Sequence, residues 1–321
     1  MSGEELNMTT LPILFPGQGA QTRGMGRDFA EAFPEAMATW EEADGALGFS
    51  LRDACWRAED EVNRTDIAQP GIFTAGVAAI RVLAARGLDL GAAPFVAGLS
   101  LGEYTAHWAA GTFEFADGVR LVRLRGEAMQ DASEDNPSGM ASLMGATPEQ
   151  AEALAAVGSE HGVCQVANLN APGQIVLSGA FPALDAVEAC SKDHGVRRVR
   201  RLVVAGGFHS ECMRPAADRL AAALEGTAIS DPAVPVISNV TAAPVLTAAD
   251  VRGTLATQVC APVLWERSMR WALGEGHRRF LEPAPGTVLA GILRKIDGEA
   301  EVVPVSKPDE VAVALASVGA A

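Results

Sequence analysis

Along the chain, short apolar runs stopped by turn residues alternate with longer stretches in which apolar positions recur at helical spacing. Pro12-Ile-Leu-Phe15, cut off by Pro16-Gly17-Gln18-Gly19, reads as a buried strand ending in a tight loop, and a long helical stretch follows it. Helical spacing runs from Gly71 to Arg86, and a second short strand, Phe95-Val-Ala97, leads straight into Gly98-Leu99-Ser100-Leu101-Gly102. Helices are expected over Leu101–Ala110 and Ala116–Ala132. The cluster Glu134-Asp-Asn-Pro-Ser-Gly139 is the strongest internal boundary.

Beyond that boundary the rhythm changes. Strand Met140–Leu143, helix Pro148–Val157, strands Cys164–Asn168 and Gln174–Ser178, helix Pro182–His194 and strand Val199–Ala205 give the order βαββαβ of a ferredoxin-like unit. After Gly206-Gly207 the α/β alternation resumes, with strands near Val234–Ser238, Arg278–Leu281 and Val302–Val305. The expected architecture is therefore α/β: a parallel-sheet domain built from 11–137 and 206–321, interrupted by a ferredoxin-like subdomain over 138–205, with 1–10 as a flexible N-terminus. The Ala-rich C-terminus reads as a helix.

A length of 321 residues suits two packed units, and 49% hydrophobic with 20% charged residues marks an ordinary globular chain. No run of about 18 uncharged apolar residues occurs, and the polar, acidic start is unlike a signal peptide, so a cytoplasmic protein is expected. The five cysteines are scattered without a CxxC pair, which points to neither disulfides nor zinc. A net charge of -15 argues against nucleic acid and anionic membrane as partners. An acidic partner has to dock on a local basic patch, for which Arg197, Arg198, Arg200 and Arg201 are the candidates.

Gly98-Leu99-Ser100-Leu101-Gly102 matches G-x-S-x-G between an expected strand and an expected helix, the setting of a nucleophile elbow. The pentapeptide alone reads equally well as a glycine-rich turn with Ser100 as a helix cap; the flanking strand and helix favour the nucleophile. A serine needs a base. Among five histidines, His209 stands out because it follows the apolar stretch Leu202–Ala205 and Gly206-Gly207, at the expected end of a strand. Arg125 has Leu121, Val122, Ala128 and Met129 as its neighbours one turn away, so its cation rises from an apolar, core-facing stripe and requires an anion. Helix geometry leaves open whether that anion is an internal carboxylate or a ligand. Arg123, beside Glu127, has a surface partner at i+4.

Phe15-Pro-Gly-Gln-Gly19, Gly98-Leu-Ser-Leu-Gly-Glu-Tyr104, Arg125-Gly126, Asn168-Leu-Asn-Ala-Pro-Gly-Gln174 and Phe208-His-Ser210 together resemble malonyl-CoA:acyl carrier protein transacylases, from about Leu11 to about Val305. The discrete, trans-acting acyltransferases of polyketide synthases are resembled at least as much as the fatty-acid enzyme. The resemblance implies a hydrolase-like core with a ferredoxin-like insert, Ser100 as the acylated nucleophile and His209 as general base and acid. It implies an oxyanion hole from Gln18 and the Leu101 backbone N–H, and a backbone carbonyl of Gln258, in place of an aspartate, orienting the histidine. Arg125 would grip the free carboxylate of malonate, with Met129, Leu99, Phe208 and Asn168 around the acyl group. Malonyl-CoA and an acyl carrier protein would be the substrates of a monomer that uses no metal or organic cofactor.

Two departures stand out. Leu99 occupies the place usually held by histidine, which changes the polarity of the pocket, and Phe208 resembles the malonyl-selective polyketide pattern in which a ring crowds an α-branch. An acyl hydrolase acting on carrier proteins, or a transferase of another acyl group, is the alternative; Arg125 argues against a general thioesterase. A nucleotide-binding reading of Gly17–Gly26 lacks the Lys-Ser/Thr ending of a phosphate loop.

Overall fold

A computed structural model describes residues 11–57 and 61–319, so the expectation for 1–10 lies outside the described residues. The strands are β1 (Ile13–Phe15), β2 (Val96–Gly98), β3 (Ser138–Met144), β4 (Cys164–Ala171), β5 (Gln174–Ala180), β6 (Arg198–Arg201), β7 (Val236–Ile237), β8 (Pro244–Val245), β9 (Arg279–Pro283) and β10 (Glu301–Val305). They form two sheets, one of order β10-β9-β1-β2-β7-β8 and one of order β4-β5-β3-β6. The larger sheet is parallel from β10 to β7, with β8 as an antiparallel edge. Its central strands β1 and β2 are buried throughout, as strands covered by helices on both faces must be.

Helix Thr65–Ala84 packs on helix Gly102–Ala109, which lies directly against β1 and β2. It is long and apolar enough by length and composition to span a bilayer, yet its residues are almost all enclosed by protein, as expected of a core helix apolar on every side. It begins six residues before the helical spacing predicted from Gly71, and Pro70 lies inside it. Proline removes the hydrogen bond to the carbonyl four residues back, that of Asp66. Arg123 Nη1 donates to that oxygen at 2.7 Å while its Nε pairs with Glu127, so the arginine expected to be merely a surface partner repairs the helix break.

The long helical stretch expected after Gly19 is divided. Helices Arg27–Ala32, Pro34–Leu47 and Leu51–Trp56 are separated where Pro34 opens the second and Gly48, at φ 75°, closes it. Helix Phe115–Asp135 overruns the predicted Ala116–Ala132 by one residue at the start and three at the end.

In the smaller sheet every pairing is antiparallel, and β3, helix Pro148–Ser159, β4, β5, helix Phe181–Cys190 and β6 follow in the predicted βαββαβ order. Leu143, Leu154, Leu177, Leu184 and Val187 form its own core. The last strand is shorter than expected: β6 stops at Arg201, and Leu202–Ala205 is irregular. Leu202 N makes one last bond to Met140 O, after which the chain leaves the sheet so that Gly207 N reaches Ser138 Oγ at 2.9 Å. His209 thus follows an edge strand of the small sheet, and not the carboxyl end of a strand in the parallel one. A backbone bridge ties the small sheet to the segment joining helices Ala248–Gln258 and Trp265–Gly274: Leu169 N donates to Val263 O at 2.9 Å and Val263 N to Ala167 O at 2.8 Å.

Candidate active site

The turn between β2 and helix Gly102–Ala109 holds Ser100 at φ 52°, a left-handed conformation that costs a non-glycine residue of order 1–3 kcal/mol. The flanking glycines serve close approach, since neither has a positive φ. A Cβ on Gly98 would lie 1.9 Å from the Gly102 carbonyl carbon, and one on Gly102 would lie 2.1 Å from Phe15 O. Asn239, just beyond β7, holds the turn from outside. Its Oδ1 accepts from Ser100 N at 2.6 Å and its Nδ2 donates to Gly98 O at 2.7 Å.

His209 is likewise left-handed, at φ 59°, and buried. Its Nδ1 lies 2.8 Å from Gln258 O and its Nε2 2.8 Å from Ser100 Oγ. A carbonyl oxygen only accepts, so Nδ1 carries the hydrogen and Nε2 is the acceptor for the Ser100 hydroxyl. Burial, and then the charge of Arg125, lower the imidazole pKa to about 4, which keeps the ring neutral and basic in form at ordinary pH.

Arg125 rises from helix Phe115–Asp135 into the same place and is 1% exposed. Its Nη1 donates to Gln69 Oε1 at 2.7 Å; its Nη2 donates to Gln258 Oε1 at 3.0 Å and to Ser100 Oγ at 3.1 Å. The guanidinium carbon stands 5.5 Å from the Tyr104 ring centroid. No carboxylate is within ion-pair distance of it among the described residues. Burial pushes its pKa down, opposed by Tyr104 and Glu103.

These groups open onto a cavity of about 720 Å³. Gln18, Leu99, Ser100, Arg125, Met129, Asn168, Phe208 and His209 all line it, so the expected site residues converge from both sheets. Leu101 and Gln258 stand behind the wall, Leu101 heading helix Gly102–Ala109 and Gln258 ending helix Ala248–Gln258. Gln18 Nε2 lies 3.4 Å from Thr65 Oγ1, and Gln18 Oε1 lies 3.5 Å from Gln69 Nε2, long contacts that leave its amide lightly held. A cleft of about 700 Å³ opens elsewhere, between Phe49, Arg57, Arg64 and Arg123, but these arginines are already paired with Asp53, Asp66 and Glu127.

Sequence reasoning passed over Gln69, Glu103, Tyr104 and Asn239. A glutamine set between the apolar pairs Ile67-Ala68 and Ile72-Phe73 was a readable signal for Gln69, which the structure buries fully. For Asn239 the signal was an amide directly after a short apolar strand, and for Glu103 a carboxylate in the first turn after the elbow.

Residues 13–317 match the family described as acyl transferase domain. The malonyl CoA-acyl carrier protein transacylase of Bacillus subtilis is 37% identical over 310 residues, covering 96% of this chain and 97% of its own. The crystal structure of an acyl-carrier-protein-S-malonyltransferase from Bartonella henselae superposes with a TM-score of 0.93 at 36% identity, over 97% of this chain and 99% of its own. A malonyl-transacylase in complex with a type II polyketide synthase acyl-carrier protein gives a TM-score of 0.91 at 33% identity, over 96% of this chain and 99% of that one.

Proposed function

The chain belongs to the acyl transferase domain family, and from that premise we propose that it moves a malonyl group from coenzyme A to the phosphopantetheine thiol of an acyl carrier protein, for fatty-acid or polyketide synthesis, through an ester on Ser100. The reading is carried by one observation: a buried arginine with only neutral partners donates to the hydroxyl that faces a neutral histidine. That arrangement places a carboxylate-seeking cation beside a nucleophile and its base.

In the first half-reaction the Ser100 hydroxyl gives its proton to His209 Nε2 as Oγ attacks the thioester carbonyl. The carbonyl oxygen, now negative, is met by the Leu101 N–H at the head of a helix and by the Gln18 amide. Collapse expels the coenzyme A thiolate, which takes the proton back from His209. In the second half the carrier's thiol gives its proton to His209, its sulfur attacks the ester, and Ser100 leaves as a hydroxyl carrying that proton. The Gln258 carbonyl keeps Nδ1 protonated and the ring aligned throughout. Each proton and charge is handled by these groups, so the scheme calls on no metal or organic cofactor.

Arg125 takes the free carboxylate of malonyl, a charge-assisted pair stronger than its neutral contacts. Met129, Leu99, Phe208 and Asn168 bound the acyl group. We assign 138–205 as the inserted subdomain and 11–137 with 206–321 as the catalytic domain of a chain that works as a monomer in the cytoplasm. Intact-protein mass spectrometry tests the reading: malonyl-CoA should add one malonyl mass to the parent and none to Ser100→Ala, and a normal adduct on Ser100→Ala would refute it.

A further inference from the structure

Glu103 lies directly behind the site, is fully buried, and takes no part in the scheme above. Its Oε2 accepts from Gln258 Nε2 at 2.6 Å and from Asn239 N at 3.2 Å. Gln258 in turn makes four contacts with different parts of the machinery. Its Nε2 also donates to Ser100 O at 3.0 Å, its Oε1 accepts from Arg125 at 3.0 Å, and its backbone oxygen holds His209 at 2.8 Å.

The amide can face only one way. With both hydrogens of Nε2 directed at Glu103 and Ser100 O, Oε1 is turned to Arg125; flipped, it would set N–H against guanidinium and oxygen against carboxylate. A buried cation calls for an anion, but a carboxylate in direct contact with Arg125 would occupy the donors that a substrate needs. One glutamine between them keeps the charges close enough to interact while leaving the guanidinium with neutral partners that a carboxylate can displace.

We infer that Glu103 is the counter-ion of Arg125 held one amide away, a positioning residue that sets how tightly the arginine retains a carboxylate-bearing acyl group. The inference rests on the malonyl-transfer reading. Burial raises the Glu103 pKa to about 7 against the hydrogen bonds from Gln258, Asn239 and Ser238 and the charge of Arg125, so the carboxylate is ionised at mildly alkaline pH. There it repels the substrate's carboxylate and moderates the pull of Arg125.

The test compares kcat and KM for malonyl-CoA and acetyl-CoA at mildly alkaline pH in the parent, Glu103→Gln and Glu103→Asp. Glutamine keeps an oxygen for Gln258 and loses the charge; aspartate keeps the charge. Glu103→Gln should raise the malonyl-to-acetyl ratio of kcat/KM by about tenfold, the scale of one unit charge acting over about 12 Å at an effective dielectric near 20, mainly through a lower KM for malonyl-CoA. Glu103→Asp should keep the parent ratio within about twofold, well under the 1.4 kcal/mol of a tenfold change. A ratio unchanged or lowered in Glu103→Gln, or shifted equally in both variants, overturns the inference and leaves malonyl transfer standing. Loss of both variants from the soluble fraction also overturns it, since Glu103 would then be a folding residue. A parent that malonyl-CoA does not acylate at Ser100 overturns both readings.

Discussion

Replacing Arg125 with alanine should turn a carboxyacyl-selective enzyme into one that prefers acetyl. The guanidinium is 1% exposed and its donors meet three neutral oxygens at 2.7 to 3.1 Å, so an arriving carboxylate converts neutral contacts into a charge-assisted pair in low dielectric. Losing one partner of such a buried pair costs about 3–5 kcal/mol. At one decade in rate per roughly 1.4 kcal/mol, malonyl transfer should fall by about 10²-fold to several thousand-fold in kcat/KM. Acetyl has no carboxylate to lose and no longer leaves a cation unpaired, so its kcat/KM should hold or rise. Alanine suits a helix interior, and the circular dichroism spectrum should remain that of the parent. Steady-state kinetics with both thioesters decide the matter: an equal fall for malonyl-CoA and acetyl-CoA would make Arg125 structural and remove the main physical support for a malonyl substrate.

His209 acts as a base only when neutral, so with its pKa lowered to about 4 the acylation rate should fall as pH drops through that value. Read by rapid quench in the Glu103→Gln background, where residue 103 does not titrate, an acid limb centred near the ordinary imidazole value of about 6.5 would count against the buried geometry. Gly102→Ala puts a Cβ 2.1 Å from Phe15 O, so the elbow or β1 has to move; a loss above about 3 kcal/mol in denaturant melts is expected, and a stable, fully active variant would contradict the packing. Reversing Arg198 and Arg200, both exposed, should raise KM for the carrier protein and weaken its salt dependence while malonyl-CoA acylation is unchanged. Arg201 is left out because Asp185 and Glu188 already hold it; unchanged carrier kinetics would move the docking face elsewhere.

What could be read in advance was whatever the chain states locally. The strand before Gly98, the helix after Ser100 and the apolar neighbours of Arg125 are all encoded within a few positions, and the structure places them as expected. What could not be read depends on partners far away along the chain. Ser100 and Gln258 meet across 158 positions, and Ser100 and Asn239 across 139. No window containing Glu103 shows the glutamine that gives it a purpose. The same holds for boundaries: the helix read by apolar spacing from Gly71 in fact begins at Thr65, carried across Pro70 by Arg123 arriving from another helix to cap the carbonyl that proline exposes. The strand expected over Val199–Ala205 was apolar enough to continue, but it had to break so that His209 could turn toward Ser100.

Because Val263 is fully buried and bonded on both sides to β4, the small sheet is fastened to the segment between helices Ala248–Gln258 and Trp265–Gly274, a few residues from Gln258. That side of the cavity therefore resists opening as a jaw would; rigid motion of the small sheet away from this segment would strip two backbone hydrogen bonds and expose a core valine. A bulkier guest is admitted only by shrinking a side chain such as Phe208 or Met129.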